Sequence, residues 1–178
     1  MNLVLVGYRG TGKSAIARRL RGLLAMPMVS LDDEITRQAG KSIADIVAIS
    51  GWPHFRDLEE QVCRKFAARK GIVIDCGGGV VEREANFDVL RTGGFVVWLR
   101  ARPSTIVARI GGDSSRPSLT GGKSFTAEVE EVLARREPLY RRLAHVCVDT
   151  DARPLDELAG EVAAHFRAAI TKPSGAGS

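Results

Sequence analysis

Short apolar runs alternate along this chain with longer stretches in which apolar residues recur every three or four positions. Leu3-Val4-Leu5-Val6, Pro27-Met28-Val29-Ser30-Leu31, Ile72-Val73-Ile74-Asp75-Cys76, Phe95-Val96-Val97-Trp98-Leu99 and Val146-Cys147-Val148 predict five short, buried strands. Between the first two, Ile16, Leu20, Leu23 and Leu24 recur at helical spacing, with Arg18, Arg19 and Arg21 on the other face. A helix carrying Ile35 should stop at Gly40, and Ser42 can cap the next one, with Ile43, Ile46, Val47 and Ile49 as its apolar positions. Gly51-Trp52-Pro53 then breaks the chain before a long helix that starts near His54. That helix buries Phe55, Leu58, Val62 and Phe66, and Glu60 can pair with Arg64 on its wet side. Further helices are predicted over about 82–90, from Pro103, from about Thr126 with an interruption near Pro138, and after Pro154. Regular alternation of strand and helix argues an α/β fold: one domain over residues 1–170, with a five-stranded parallel sheet covered by helices on both faces. Residues 111–124, rich in glycine and serine, read as a mobile surface loop, and 171–178 as a frayed tail.

Composition narrows the function classes. The chain has 178 residues, enough for one domain with a real core; 44% are hydrophobic and 26% charged, as in an ordinary soluble protein. A net charge of +5 spread over many segments suits anionic small substrates and argues against a nucleic-acid partner. No apolar run approaches the length that spans a membrane, so no membrane partner is expected. The first apolar stretch runs straight into a glycine loop, unlike a secretory leader. Cys63, Cys76 and Cys147 are odd in number and lack metal-ligand spacing, which points to free thiols in a reducing cytoplasm.

The chemistry enters with Gly7-Tyr8-Arg9-Gly10-Thr11-Gly12-Lys13-Ser14, which fits the phosphate-cradling pattern G-x-x-x-x-G-K-[ST] at every fixed position. A strand precedes it and a helix follows. In that context backbone N–H groups from Gly10, Thr11, Gly12, Lys13, Ser14 and Ala15 can curl around phosphate oxygens at a helix N-terminus. Lys13 would reach the β- and γ-phosphates of ATP, and the Ser14 hydroxyl would ligate Mg²⁺. Two more strand ends carry polar groups: Asp32-Asp33, where Asp32 could also cap a helix, and Asp75 before Gly77-Gly78-Gly79, which could be a mere turn.

The phosphate loop, Asp32, Phe55-Arg56 opening a helix, the triple glycine, Arg116-Pro117 in the glycine-rich loop and Arg136-Glu137-Pro138-Leu139-Tyr140 occur in an order that resembles the shikimate kinases. The resemblance runs from Leu3 to about Phe166. It implies a P-loop kinase fold and transfer of the γ-phosphate of ATP to the 3-hydroxyl of shikimate, by a cytoplasmic monomer that uses Mg²⁺. It also implies residue roles. Lys13, Asp32 and Arg116 become the catalytic residues, Arg116 from a lid formed by the loop near 111–124. Arg109 stacks on adenine with Arg153 on the base's other side. Arg56 and Arg136 grip the shikimate carboxylate, guanidinium being the group that binds carboxylate bidentately. Asp32 binds two ring hydroxyls, Phe55 walls the ring, and Gly77, Gly78 and Gly79 let the backbone approach the substrate.

Two positions depart from the family pattern. Ser30 stands where a first, Mg²⁺-serving aspartate is usual, and Trp52 stands where a glutamate is common. Asp75, at a position where the family often has a small residue, could supply the missing carboxylate through water, with Ser30 left as a hydroxyl; alternatively it merely caps the glycine turn. Rival readings are a related kinase for another hydroxy acid such as gluconate, a catalytically weak nucleotide-binding relative, and a GTP-dependent switch. Against the last, the chain has no Asn-Lys-x-Asp segment for reading guanine.

Overall fold

In a computed structural model that describes residues 1–111 and 124–171, β1 (Asn2–Val6) forms the middle of a five-stranded sheet. β3 (Val73–Asp75) and then β2 (Met28–Ser30) pair on one side of it, and β4 (Gly94–Arg100) and then β5 (Val146–Asp149) on the other. Every pairing is parallel, so all strand carboxyl ends open on one edge. Leu5 and Ser30 are both register partners of Asp75, which puts the ends of β1, β2 and β3 side by side.

Alternation along each strand sorts the core into two layers. Leu3, Leu5, Val97 and Leu99 face α1 (Lys13–Leu24) and α7 (Leu155–Thr171), packing on Ile16, Leu20, Leu158 and Val162. Val4, Val6, Val96 and Trp98 face the opposite way. There they meet α2 (Leu31–Ala39), α3 (Ile43–Ala67), α4 (Ala85–Gly93) and α6 (Phe125–Leu143) through Ile35, Val62, Leu90 and Tyr140. Strands buried on both faces explain why the apolar runs are unbroken rather than alternating. A third, smaller cluster joins Tyr8 to Ile106 of α5 (Pro103–Ile110) and to Val129 and Val132 of α6.

Most element boundaries follow the sequence reading, with Gly40 ending α2 in the left-handed conformation, Ser42 capping α3 and Glu60 pairing with Arg64 at 3.1 Å. Three expectations are corrected. Ser30, not Asp32, is the N-cap of α2: its hydroxyl accepts from the Asp33 amide at 3.2 Å, and Asp32 and Asp33 lie in the first helical turn. The helix predicted over about 82–90 starts later, as α4 at Ala85, with a separate 3-10 turn, Val80–Glu82, ahead of it. Pro138 does not interrupt α6, because Leu133 and Arg136 before it and Tyr140 and Leu143 after it are all buried against the body. Packing on both sides outweighs the one missing amide.

The predicted break at Gly51-Trp52-Pro53 is a kink within α3. Gly51 takes φ 78°, ψ 168°, a region open essentially to glycine, and the kink aims the Phe55-Arg56 segment at the carboxyl edge of the sheet.

Candidate active site

Beyond β1 the phosphate loop turns back over the sheet edge and feeds α1. Gly12 is the N-cap of α1 at φ 91°, a left-handed conformation that a side chain would strain. No side chain caps α1 and no acidic residue occupies its first turn. The neighbouring α2 contrasts with it, having both a serine cap and Asp32, Asp33 and Glu34 in its first turn. One helix N-terminus is thus neutralised internally and the other keeps its amides and partial positive charge for an anion. Lys13 is buried, and its Nζ donates to the Tyr8 carbonyl at 3.0 Å. Thr11 is buried too, its hydroxyl donating to the same carbonyl at 2.8 Å, so it braces the loop from inside.

A cleft of about 1440 Å³, counted with its open mouth, runs along this loop. Gly10, Gly12, Lys13, Ser14 and Ala15 line it, as do Ser30, Asp75 and Arg109. Arg109 reaches from α5 to the Gly10 carbonyl (3.1 Å) and the Thr150 carbonyl (2.8 Å), tying the loop to the segment after β5. Arg153 does not line the cleft: it is held by Glu157 at 2.7 Å and Glu161 at 2.5 Å on α7. Arg116 and residues 112–123 of the expected lid lie outside the described residues.

Asp75 is buried at the end of β3, its carboxyl bonded to the Ser14 hydroxyl. Burial pushes that carboxyl above its ordinary range, against the pull of Lys13 and Ser14, with Asp32 and Asp33 adding to the upward push. Ser14, Ser30, Asp32, Asp33 and Asp75 offer hard oxygen donors along the cleft, the kind that suits Mg²⁺.

A second, smaller cavity of about 430 Å³, likewise counted with its open mouth, adjoins the cleft. All seven residues expected at the acceptor line it: Asp32, Phe55, Arg56, Gly77, Gly78, Gly79 and Arg136. Arg56 and Arg136 are 7% and 3% exposed, far from the solvated side chains that charged helices usually carry. The Arg56 guanidinium lies 5.2 Å from the Phe55 ring centroid and 5.3 Å from that of Trp52, so the departure at Trp52 builds an aromatic wall beside the charge. A Cβ on Gly79 would strike the Arg56 guanidinium, and one on Gly77 would meet Asp32 Oδ1 at 2.6 Å and Glu59 Oε1 at 2.8 Å. The triple glycine is therefore a close approach, not a spare turn. The Tyr140 hydroxyl donates to the Gly78 carbonyl and fixes it from behind.

Arg9, Asp32 and Gly78 line both cavities and mark their junction. A group held in the cleft and a group held in the small cavity would meet at Asp32.

Sequence reasoning missed several contributors. Arg9 occupies a free position of the loop pattern; it pairs with Glu128 of α6 at 3.2 Å and stacks near Tyr8 and Phe125. Glu59 follows Arg56 by one helical turn and takes its Nη1 at 2.6 Å, a pairing that i,i+3 spacing could have suggested. Tyr8 Oη, Arg9 Nε and Glu59 Oε1, all in residues lining the small cavity, are buried without a hydrogen-bond partner, as expected of a site waiting for a polar ligand. Glu82, distant in sequence from both arginines, gives no such signal.

A family profile of shikimate kinases matches residues 9–167. The chain belongs to the shikimate kinase family. It is 46% identical over 165 residues to a shikimate kinase of Rhodopirellula baltica, covering 90% of this chain and 88% of that one. Another, from Symbiobacterium thermophilum, is 39% identical over 163 residues, covering 91% and 94%. In three dimensions the chain is similar to a shikimate kinase from Acinetobacter baumannii in complex with shikimate, with a TM-score of 0.91, 30% identity and coverage of 96% and 95%. The chain is thus a transferase of the shikimate pathway, phosphorylating shikimate with ATP as donor and Mg²⁺ as its ion. Against a gluconate-type kinase, both the family match and the small cavity with two buried arginines favour shikimate.

Glu59 should make the pocket sensitive to pH. Burial raises its carboxyl to about 7, with Asp32 adding to the rise and Arg56 and Arg136 opposing it. A folded-state value above the ordinary 4.5 favours the protonated form. The stability this confers is complete below about 4.5 and is lost as pH rises through about 7. Glu59→Gln, always neutral, should therefore flatten the fall in unfolding free energy over that window, as read by urea denaturation at stepped pH. An unchanged slope would mean that Glu59 is ionised throughout.

Proposed function

We propose that the two cavities divide the reaction. The cleft takes the triphosphate on the α1 N-terminus and Lys13, and the small cavity takes shikimate with its carboxylate on Arg56 and Arg136. The ring then lies against Phe55, and the 3-hydroxyl points at Asp32. That carboxylate accepts the hydroxyl proton or orients the oxygen for in-line attack on the γ-phosphate. Backbone amides of the triple glycine approach the ring from the other side, and Lys13, with Arg116 from the lid, balances charge on the transferring phosphate. Arg109, which lines the cleft, borders the adenine; Arg153, paired with Glu157 and Glu161 outside it, is not assigned there. The single observation behind this reading is that Asp32 lines both cavities.

Ser14 would hold Mg²⁺, with Asp75 and Ser30 acting through water, and the ion would supply positive charge against that of the phosphates. We further infer a cytoplasmic monomer. Cys63, Cys76 and Cys147 are free thiols, and no helix among the described residues is long and apolar enough to cross a membrane.

The acceptor is tested by ADP release with shikimate, with gluconate and with no acceptor. Release only with shikimate is expected; equal turnover with gluconate would overturn the division of the cavities.

The metal arrangement has its own test. Ser30 and Asp75 are register partners on adjacent strands, about 5 Å apart in such a sheet, so a carboxylate at either position can reach the same waters. Asp75→Ser should sharply raise the Mg²⁺ concentration needed for half-maximal rate, and Ser30→Asp in the same chain should restore much of it. If Asp75→Ser changes neither Mg²⁺ dependence nor kcat, Asp75 only caps the glycine turn.

A further inference from the structure

The two buried arginines of the acceptor cavity share one carboxylate that the cavity does not contain. Glu82 ends the 3-10 turn that follows the triple glycine, with its amide donating to the Gly79 carbonyl at 2.9 Å. The turn is braced from below, where Asn86 Nδ2 donates to the Val80 carbonyl at 2.8 Å. From that rigid position Glu82 Oε2 accepts from Arg56 Nε at 3.2 Å, and Oε1 accepts from Arg136 Nε at 2.8 Å and Nη2 at 2.7 Å. Arg135 Nη2 joins Oε1 from the solvent side at 3.1 Å. The carboxylate thus spans arginines from two different helices, α3 and α6.

Its location decides what it can do. Glu82 does not line the small cavity, whereas Arg56 and Arg136 do. It therefore grips both guanidinium groups from outside, by their Nε sides, while the terminal nitrogens of Arg56 lie over Gly79 at the cavity wall. Each guanidinium is planar with its donors in a fixed fork, so holding the Nε side sets the direction of the remaining N–H groups. The charges of Arg136 and Arg56 hold the Glu82 carboxyl below its ordinary range although burial works the other way. It is an anion whenever the enzyme works.

We propose that Glu82 is a positioning residue for the acceptor carboxylate: it bridges Arg56 and Arg136 from behind and presents them as one preformed clamp. The inference rests on the reading of those arginines as the carboxylate clamp. Without Glu82, two buried cations on separate helices would repel, and the clamp would have to be assembled at the moment of binding. The effect falls on acceptors that carry a carboxylate and spares the nucleotide.

The test compares shikimate with its methyl ester, which keeps the ring hydroxyls and lacks the anion. Steady-state kinetics are measured for the unaltered protein, Glu82→Ala, Glu82→Gln and Arg136→Ala, with melting temperature as the check on folding. Glu82→Ala should raise the KM for shikimate about tenfold to a hundredfold, as loss of a hydrogen bond to a charged group implies. It should leave the KM for ATP and the residual kcat/KM for the ester unchanged. Glu82→Gln, which keeps an acceptor oxygen but no charge, should fall between; it also carries the comparison if the alanine variant does not fold. Equal losses on shikimate and ester would mean general destabilisation and overturn the proposal. So would a lower KM for shikimate in Glu82→Ala, which would make Glu82 a competitor for the arginines. If Arg136→Ala impairs shikimate use and Glu82→Ala does not, Glu82 is a bystander and the clamp reading stands. If Arg136→Ala leaves shikimate use intact, the clamp reading falls, and this inference with it.

Discussion

Two guanidinium groups stand inside this protein, and much of the acceptor side is arranged to keep them there. Moving an ion out of water costs several kcal/mol even after relaxation, so Arg56 and Arg136 persist only because counter-charges and hydrogen bonds surround them. Glu82 supplies the counter-charge, 2.7 Å from Arg136 at its closest, and Glu59 accepts from Arg56 at 2.6 Å. Trp52 and Phe55 cover Arg56, and Tyr8 lies 5.8 Å beneath Arg136. Donors held this way are already desolvated and directed, an arrangement suited to an anionic group such as a carboxylate.

The sheet carries out the corresponding task for the donor. Parallel pairing brings the carboxyl ends of β1, β2 and β3 to one edge, and the register sets Leu5, Asp75 and Ser30 level. From there the uncapped N-terminus of α1 faces the cleft, while the acids opening α2 satisfy their own helix and place Asp32 between cleft and cavity. Fold and charge distribution therefore follow from the same strand ends.

What could be read from the sequence, and what could not, divides along physical lines. Continuous apolar strands and helical periodicity depend on local residue order, so five strands and the helices between them were legible, as was the phosphate loop, whose fixed positions all lie within eight residues. That seven dispersed residues would share one cavity was legible by family resemblance alone; the burial of its arginines was not, since an arginine on a charged helix gives no sign of facing inward. Glu82 escaped because its partners Arg56 and Arg136 come from α3 and α6, elements that only the tertiary fold brings to its turn. Pro138 misled because local propensity predicts a break, whereas the packing of Leu133, Arg136, Tyr140 and Leu143 holds the helix through it.

Asp32 lines both cavities, and Asp32→Asn tests most directly whether donor and acceptor meet there, since it keeps the shape and removes the negative charge. With saturating ATP and shikimate, kcat should fall by about a hundredfold or more, in line with the loss of a positioned acid–base group, while ATP binding measured separately stays unchanged. A kcat within a few-fold of the unaltered protein would show that the accepting hydroxyl is activated elsewhere and that the junction of the two cavities is not the place of transfer.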